Sequence, residues 1–248
     1  MIKLSVNVNK VATLRNSRGG AEPNVLDAVR VCLAAGAPGI TVHPRGDERH
    51  IRRSDVLEIA ALLKAQRGTH EAVVLNIEGD PRPDWLSLVH DVRPTQATLV
   101  PVRPGEVTSE AGWLASTDLR ATVRAIQAAG VRVSLFIDAE PAAVDWAASQ
   151  GAERIELYTE PFARAFAESE AAGRRVFEKH VACAERAHAA GLAINAGHDL
   201  DLANLVMYRA LPQLAEVSIG HAIMSRALFV GLDRVVREYL DVVKTYSS

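Results

Sequence analysis

The chain repeats one short unit, and this repeat constrains the fold more than any other feature of the sequence. In each copy an alanine-rich segment of helical character ends in glycine, and a run of β-branched or aliphatic residues follows. Four copies are plain, with their glycines at Gly36, Gly130, Gly151 and Gly191. Glycine at this point is typical of a helix that ends in the left-handed conformation. Helices that alternate with strands predict βα units and a parallel sheet.

About eight segments have the composition of strands in such a sheet. They are residues 4–8, 40–43, 72–77, 97–101, 131–137, 154–158, 192–195 and 216–219. No linker or low-complexity stretch separates them, and the chain has 248 residues. Because (β/α)8 barrels near ~250 residues commonly form one domain, we predict an α/β fold, a TIM barrel, in a single domain over residues 1–248. An open doubly wound sheet is the alternative, but residues 7–10 are not its glycine-rich fingerprint.

Two further stretches, residues 105–119 and 160–174, are polar and long. We predict extra loops there, with a short helix as the alternative, and both stretches are candidates for lids. A net charge of -2 and an isoelectric point near 6.5 argue against nucleic acid or an anionic membrane as a partner. The chain has no apolar run near ~18 residues and no signal-peptide core, so we predict a cytoplasmic protein. Cys32 and Cys183 are expected to be buried free thiols.

The most informative single stretch is residues 39–50. A short apolar strand runs into a loop that carries His43, Arg45 and His50, and Pro44 should end the strand at about His43 because proline cannot donate to a sheet ladder. A strand that leads into imidazoles and guanidiniums is a common way for α/β enzymes to bind anionic substrates. An ordinary polar loop is the alternative.

Other predicted strand ends carry similar residues, which a barrel would gather on one face. They are Asn7, Asn9, Glu78, Thr108, Asp138, Glu156, His198 and His221. Histidines and carboxylates around one opening favour a reaction with several proton transfers. For Asp138 and Glu156 a structural role is an equal alternative. No His-x-x-x-His or Cys-x-x-Cys spacing occurs, so we predict no metal site.

Two glycine-bearing loops are candidates for phosphate binding. Asn195-Ala-Gly-His-Asp199 follows the seventh predicted strand, and Ser218-Ile-Gly-His-Ala222 follows the eighth and enters a helix. The recurrent phosphate site of barrels lies at these two loops and a helix N-terminus. Gly197 and Gly220 would let backbone amides approach the phosphate oxygens, although ordinary turn glycines are the alternative.

Together these motifs resemble those of the pyridoxine 5′-phosphate synthase family. The matching segments are residues 7–19, 39–50, 76–78, 106–110, 133–138, 195–198 and 219–222, in register over nearly the whole chain. The resemblance implies a (β/α)8 barrel with extra helices, a homo-octamer, and no cofactor. It also implies condensation of 1-deoxy-D-xylulose 5-phosphate with 3-amino-2-oxopropyl phosphate to give pyridoxine 5′-phosphate, phosphate and water.

The resemblance further implies roles for individual residues. His43 and Glu78 match the proton acceptors of the family, His198 matches its proton donor, and Glu156 matches the carboxylate that stabilises charged intermediates. The aminoketone phosphate would be bound by Asn7, Arg18, Asp199, Gly220 and His221. The deoxyxylulose phosphate would be bound by Asn9, Lys10, Arg45, His50 and Thr108.

Three positions depart from the family pattern. The family usually has Asp and His where this chain has Asn9 and Lys10, and it has Gly where this chain has Glu160. Lys10 can still meet an anion as a point charge, whereas Asn9 keeps hydrogen-bonding power without negative charge. Two alternatives therefore stay open: another barrel that handles one phosphorylated sugar, such as an aldolase or isomerase, and a non-catalytic barrel that binds pyridoxine phosphate.

Overall fold

The computed structural model describes residues 1–66, 73–103, 105–106 and 108–244. Eight parallel strands close into a barrel in chain order, and the last strand pairs with the first. The strands are β1 (Lys3–Asn7), β2 (Gly39–Val42), β3 (Val74–Gly79), β4 (Gln96–Leu99), β5 (Arg132–Ile137), β6 (Arg154–Tyr158), β7 (Ala193–Gly197) and β8 (Leu214–Ile219). The predicted TIM barrel is confirmed, and β2 ends one residue before the predicted His43.

Helices surround the barrel. The described residues contain α1 (Asn9–Asn16), α2 (Val25–Ala34), α3 (Arg53–Ala65), α4 (Pro83–Val92), α5 (Arg120–Ala128), α6 (Pro141–Ser149), α7 (Glu160–Glu168), α8 (Glu170–Ala189), α9 (Leu205–Tyr208), α10 (His221–Val230) and α11 (Leu232–Lys244). The glycines of the repeated unit lie just beyond α2, α5, α6 and α8. All four have positive φ angles, between 77° and 96°, as expected of left-handed helix ends.

The two faces of the strands differ in chemistry. Residues that point outward, such as Val6, Ile40 and Leu135, join the apolar core beneath the helices. Most inward positions carry polar residues, since side chains alternate along a strand, and Phe136 is an apolar exception. The hydroxyls of Ser5 and Thr41 lie 2.6 Å apart across two strands, one of several such inward contacts. The middle of the barrel interior and its opening are therefore both lined mainly by polar side chains.

The prediction of a polar loop at residues 160–174 is wrong. This stretch forms α7 and the start of α8. Ser169 is the N-cap of α8, and its side chain accepts a hydrogen bond from the Ala172 N–H. Phe162 and Phe166 lie one helical turn apart and contact each other at 5.9 Å between ring centroids, and Phe162 also contacts Phe177 on α8. Aromatic packing between α7 and α8 thus makes a helical hairpin from a stretch rich in charge.

The positions that the structure describes within residues 105–119 form a loop after β4, as predicted, and contain no helix, short or long. Asp138 anchors this loop, because its Oδ1 accepts the Gly112 N–H at 3.0 Å. Gly112 must be glycine, since a Cβ there would lie 2.4 Å from the Asp138 nitrogen. Cys32 and Cys183 are buried free thiols, as predicted. Within the described ranges, no helix combines the length and apolar character needed to cross a membrane.

Candidate active site

A cavity of about 320 Å³ lies at the carboxyl ends of the strands. Thirteen of the fourteen predicted site residues line it: His43, Glu78, Glu156, His198, Asn7, Asn9, Lys10, Arg45, His50, Thr108, Asp199, Gly220 and His221. The exception is Arg18, which is exposed just after α1 and lies outside this lining. Positions scattered over the whole sequence therefore meet, as the geometry of a barrel requires.

His43 and Glu78 lie next to each other in this cavity. Nδ1 of His43 lies 3.5 Å from Oε2 of Glu78, and both side chains are buried. Burial raises the pKa of Glu78 to about 7, although His198 and Arg45 oppose the rise. Burial, together with the charge of Arg45, lowers the pKa of His43 to about 3. At neutral pH the pair therefore combines a neutral imidazole with a carboxyl group poised to accept or release a proton.

The backbone of His43 is fixed by the first residue of α1, which follows the first strand. The Asn9 side chain accepts the His43 N–H at 2.9 Å, and the Asn7 side chain accepts the Asn9 N–H at 3.0 Å. Because the side-chain oxygen of Asn9, Oδ1, accepts this hydrogen bond, the side-chain NH2 group of Asn9 is left to donate to other groups. Asn9, one of the departures from the family pattern, thus still connects β1 to the end of β2. Nε2 of His43 is buried and has no hydrogen-bond partner among the described residues.

Glu156 lies deeper, on the inward face of β6. Burial raises its pKa well above the usual range, and the nearby Glu78 and Glu216 raise it further, so the neutral acid is favoured. A Cβ at Gly197 on β7 would lie 2.5 Å from Oε1 of Glu156. Glycine at this position therefore makes room for the carboxyl group of Glu156. The approach of the Gly197 backbone to a phosphate stays a prediction.

His198 follows β7 in a left-handed backbone conformation, with φ at 81°, and Asp199 follows it at 57°. Such conformations are costly for residues other than glycine and cluster at functional sites. The Thr159 hydroxyl lies against the carbonyl oxygens of Gly197 and His198. The His198 ring packs on Phe136 and Tyr158 at centroid distances of 5.0 and 5.2 Å. Burial lowers the pKa of His198, and the Glu78 charge acts in the opposite direction.

Cationic and donor groups collect on the side of the cavity formed by the start of α1 and the loop after β2. Arg45 is buried and donates to the Ser109 hydroxyl at 3.3 Å. Lys10 lines the cavity as well, and its ammonium makes no ion pair with any residue in the described part of the chain. His50 lies near His43, with ring centroids 6.1 Å apart. Burial, the neighbouring His43 and Arg45 lower the pKa of His50 to about 3, so this ring is neutral. This side can bind an anion.

The second predicted phosphate loop leads directly into a helix, as expected. Gly220 is the residue before α10, and His221 is the first residue of that helix. A Cβ at Gly220 would lie 3.0 Å from the Cβ of Asn7, so glycine here allows β8 to approach β1. The first turn of α10 offers backbone N–H groups and the positive end of the helix dipole to an anion.

Sequence reasoning missed Ser109 and Ser218, which also line the cavity. Ser218 belongs to the same inward alternation on β8 as Glu216, so counting by twos along that strand would have found it. Ser109 carries no comparable signal. Asp138 is absent from the lining, which favours the structural alternative for this residue.

Comparison with known proteins identifies the family. Residues 4–245 match the model of the family described as pyridoxal phosphate biosynthesis protein PdxJ. The chain belongs to the PdxJ family. It is 47% identical over 248 residues to pyridoxine 5′-phosphate synthase of Bacteroides thetaiotaomicron. The alignment covers 98% of this chain and 100% of the relative. It is 48% identical over 253 residues to the synthase of that name from Leptospira biflexa, at 98% and 97% coverage.

Solved structures of low identity support the barrel alone. The 3-hexulose-6-phosphate synthase from Salmonella typhimurium superposes on this PdxJ-family chain with a TM-score of 0.67 at 15% identity, covering 99% of this chain and 100% of the other. Thiamine phosphate pyrophosphorylase from Pyrococcus furiosus gives 0.64 at 13% identity, with 98% and 96% coverage. At this identity the likeness concerns the fold and not the reaction.

Proposed function

We propose that this protein is a pyridoxine 5′-phosphate synthase of vitamin B6 biosynthesis. It would condense 1-deoxy-D-xylulose 5-phosphate with 3-amino-2-oxopropyl phosphate to give pyridoxine 5′-phosphate, phosphate and water. The observation that carries the proposal is the convergence of His43, Glu78 and His198 on one cavity, in a chain of the PdxJ family. Arg45 and Lys10, together with the N-terminus of α10, support binding of two phosphate groups.

The chemistry requires several proton transfers. The substrate amine must lose a proton as it attacks the ketone, and the ketone oxygen must gain one. Glu78, with its pKa at about 7, is suited to take the proton from nitrogen near neutral pH. His198 matches the proton donor of the family; burial lowers its pKa, while the charge of the Glu78 carboxylate acts in the opposite direction and favours the protonated ring. Loss of phosphate, addition of water and ring closure reuse these groups, with neutral His43 as a second acceptor.

Glu156 would stabilise positively charged intermediates. Its neutral form is favoured by burial and by the other carboxyl groups. When positive charge develops on the substrate nitrogen, the nearby charge favours ionisation of Glu156, which can then stabilise the intermediate. This role matches the one implied by the family resemblance.

The test is an assay of the purified protein with both phosphorylated substrates, with pyridoxine 5′-phosphate measured by chromatography. We expect product only when both substrates are present. Glu78→Gln serves as the impaired variant, and Glu58→Gln, at an exposed position on α3, is the matched control. Absence of product above background would refute the proposal. Turnover of a single phosphorylated sugar without the amine would favour an aldolase or isomerase, and product binding without turnover would favour the non-catalytic barrel.

Three further statements belong to the same proposal. We infer a homo-octamer from the family resemblance, and a cytoplasmic location from the two buried free thiols, Cys32 and Cys183. We also infer one domain over residues 1–248, which the pairing of β1 with β8 supports. Light scattering that gives a monomer at micromolar concentration would contradict the octamer, and two separate unfolding transitions would contradict the single domain.

A further inference from the structure

A buried ion pair lies behind the cavity wall, at residues to which none of the roles above applies. Arg15 on α1 and Asp55 on α3 are 5% and 8% exposed. Two contacts join them, NH1 to Oδ1 at 2.5 Å and NH2 to Oδ2 at 2.9 Å. A buried ion pair contributes little net stability compared with apolar packing, because both charges lose their water. A two-pronged contact does, however, fix geometry well.

The ion pair is part of a network that fixes the loop between β2 and α3. NH2 of Arg15 donates to the His50 carbonyl at 3.2 Å, and Nδ2 of Asn16 donates to the same oxygen at 2.8 Å. Asn16 also donates to the Glu48 carbonyl at 3.2 Å. Oδ2 of Asp55 accepts the Arg52 N–H at 2.8 Å, immediately after the loop. The His50 backbone is therefore fixed from α1 and from the start of α3 at once.

The consequence concerns the ring of His50. The Ile51 N–H donates to Nδ1 of His50 at 2.9 Å. A nitrogen that accepts a hydrogen bond carries no proton, so the neutral ring must carry its proton on Nε2. The Ile51 N–H can reach Nδ1 only while the peptide between His50 and Ile51 keeps its orientation, and the carbonyl of that same peptide is the oxygen bound by Arg15 and Asn16.

We propose that Arg15, Asn16 and Asp55 are positioning residues, which hold His50 as an Nε2–H donor facing a phosphorylated substrate in the cavity. They act through the backbone of His50 and do not line the cavity themselves. The identity of the substrate rests on the proposed function. The state of the His50 ring does not, and this difference separates the two tests.

The experiment compares wild type with Asn16→Asp, which keeps an acceptor for Arg15 and Arg52 but removes the donor to the His50 carbonyl. Arg15→Lys is the second variant, because lysine cannot reach both Asp55 oxygens and the carbonyl in a fork. Arg30→Lys, in an exposed ion pair on α2, is the matched control. Nitrogen-15 NMR of labelled histidine reports the tautomer, with His50→Gln used to assign the signal.

We expect the wild-type His50 signals of an Nε2-protonated ring, and mixed tautomers in Asn16→Asp. The KM for 1-deoxy-D-xylulose 5-phosphate should rise about tenfold, the usual effect of losing one positioned hydrogen bond, with kcat within about twofold. The KM for the aminoketone phosphate and the activity of Arg30→Lys should not change. An Nδ1-protonated ring in wild type, or unchanged KM and tautomer in both variants, would overturn the inference.

A merely structural role predicts a different pattern. Both KM values would rise together, in proportion to a loss of thermal stability, while the tautomer stayed the same. That result would also overturn the inference. If wild type forms no pyridoxine 5′-phosphate at all, the proposed function fails, and the NMR comparison of wild type with Asn16→Asp still decides whether the network controls His50.

Discussion

Replacing Glu78 with glutamine should lower turnover and, at the same time, remove a pH-dependent loss of folding stability. The side chain is 8% exposed, and its Oε2 lies 3.5 Å from Nδ1 of His43. Glutamine keeps the shape of the side chain, and the backbone carbonyl of residue 78 still accepts the Trp85 indole N–H at 2.9 Å. The substitution removes only the group that can take a proton. We expect turnover to fall on the order of 10²–10⁴-fold, the usual contribution of a general base.

The stability change follows from the pKa of Glu78. Burial raises it from 4.5 to about 7, so the folded chain keeps this proton at pH values where the unfolded chain has lost it. Wild type therefore loses stability through this group as pH rises from about 4.5 to about 7. At roughly 1.4 kcal/mol for each pKa unit, the total loss is roughly 3 kcal/mol. Glutamine carries no charge in either state and avoids this loss.

Chemical denaturation of both proteins between pH 4 and pH 8 measures the difference. The stability of Glu78→Gln relative to wild type should rise across that window and then stay constant. The pH profile of wild-type kcat/KM should also fall below about pH 7, as Glu78 becomes protonated. Near-normal turnover in the variant would refute the catalytic assignment. A stability difference that does not depend on pH would refute the argument from burial.

Two other substitutions test the packing around the site. In Gly197→Ala the new Cβ would lie 2.5 Å from Oε1 of Glu156, so we expect at least a tenfold loss of turnover in a folded protein; Gly20→Ala, with no atom within 4 Å, is the control. Asp55→Asn leaves a buried guanidinium without its charge partner and should cost about 3–5 kcal/mol in urea unfolding. Asp27→Asn, at an exposed ion pair, should cost at most about 1 kcal/mol. Equal costs for these two aspartates would contradict the role of burial.

Much of the fold could be predicted because its signals are local. Glycine after each alanine-rich helix, and aliphatic runs of strand length, depend only on neighbouring residues. All eight predicted strands exist; β6 has the predicted ends, and the other seven have shifted ends. Once a closed parallel barrel is inferred, its geometry brings the strand ends together, and this is why thirteen of the fourteen predicted site residues line one cavity. The helical hairpin that begins within residues 160–174 was not predicted, because the many charged residues there were given more weight than the one-turn spacing of Phe162 and Phe166.

The sequence by itself determined the repeated βα unit, the parallel barrel and the residue types at the strand ends, because these follow from short-range periodicity and backbone chemistry. Only the tertiary structure decided the burial, the distances and the pKa values of those residues. The pKa of Glu78, the 3.5 Å approach of His43, the space that Gly197 leaves for Glu156 and the support of His50 by Arg15 all join positions distant in sequence. Burial and distance of this kind arise when the strands and helices pack, and no local pattern of residues encodes them.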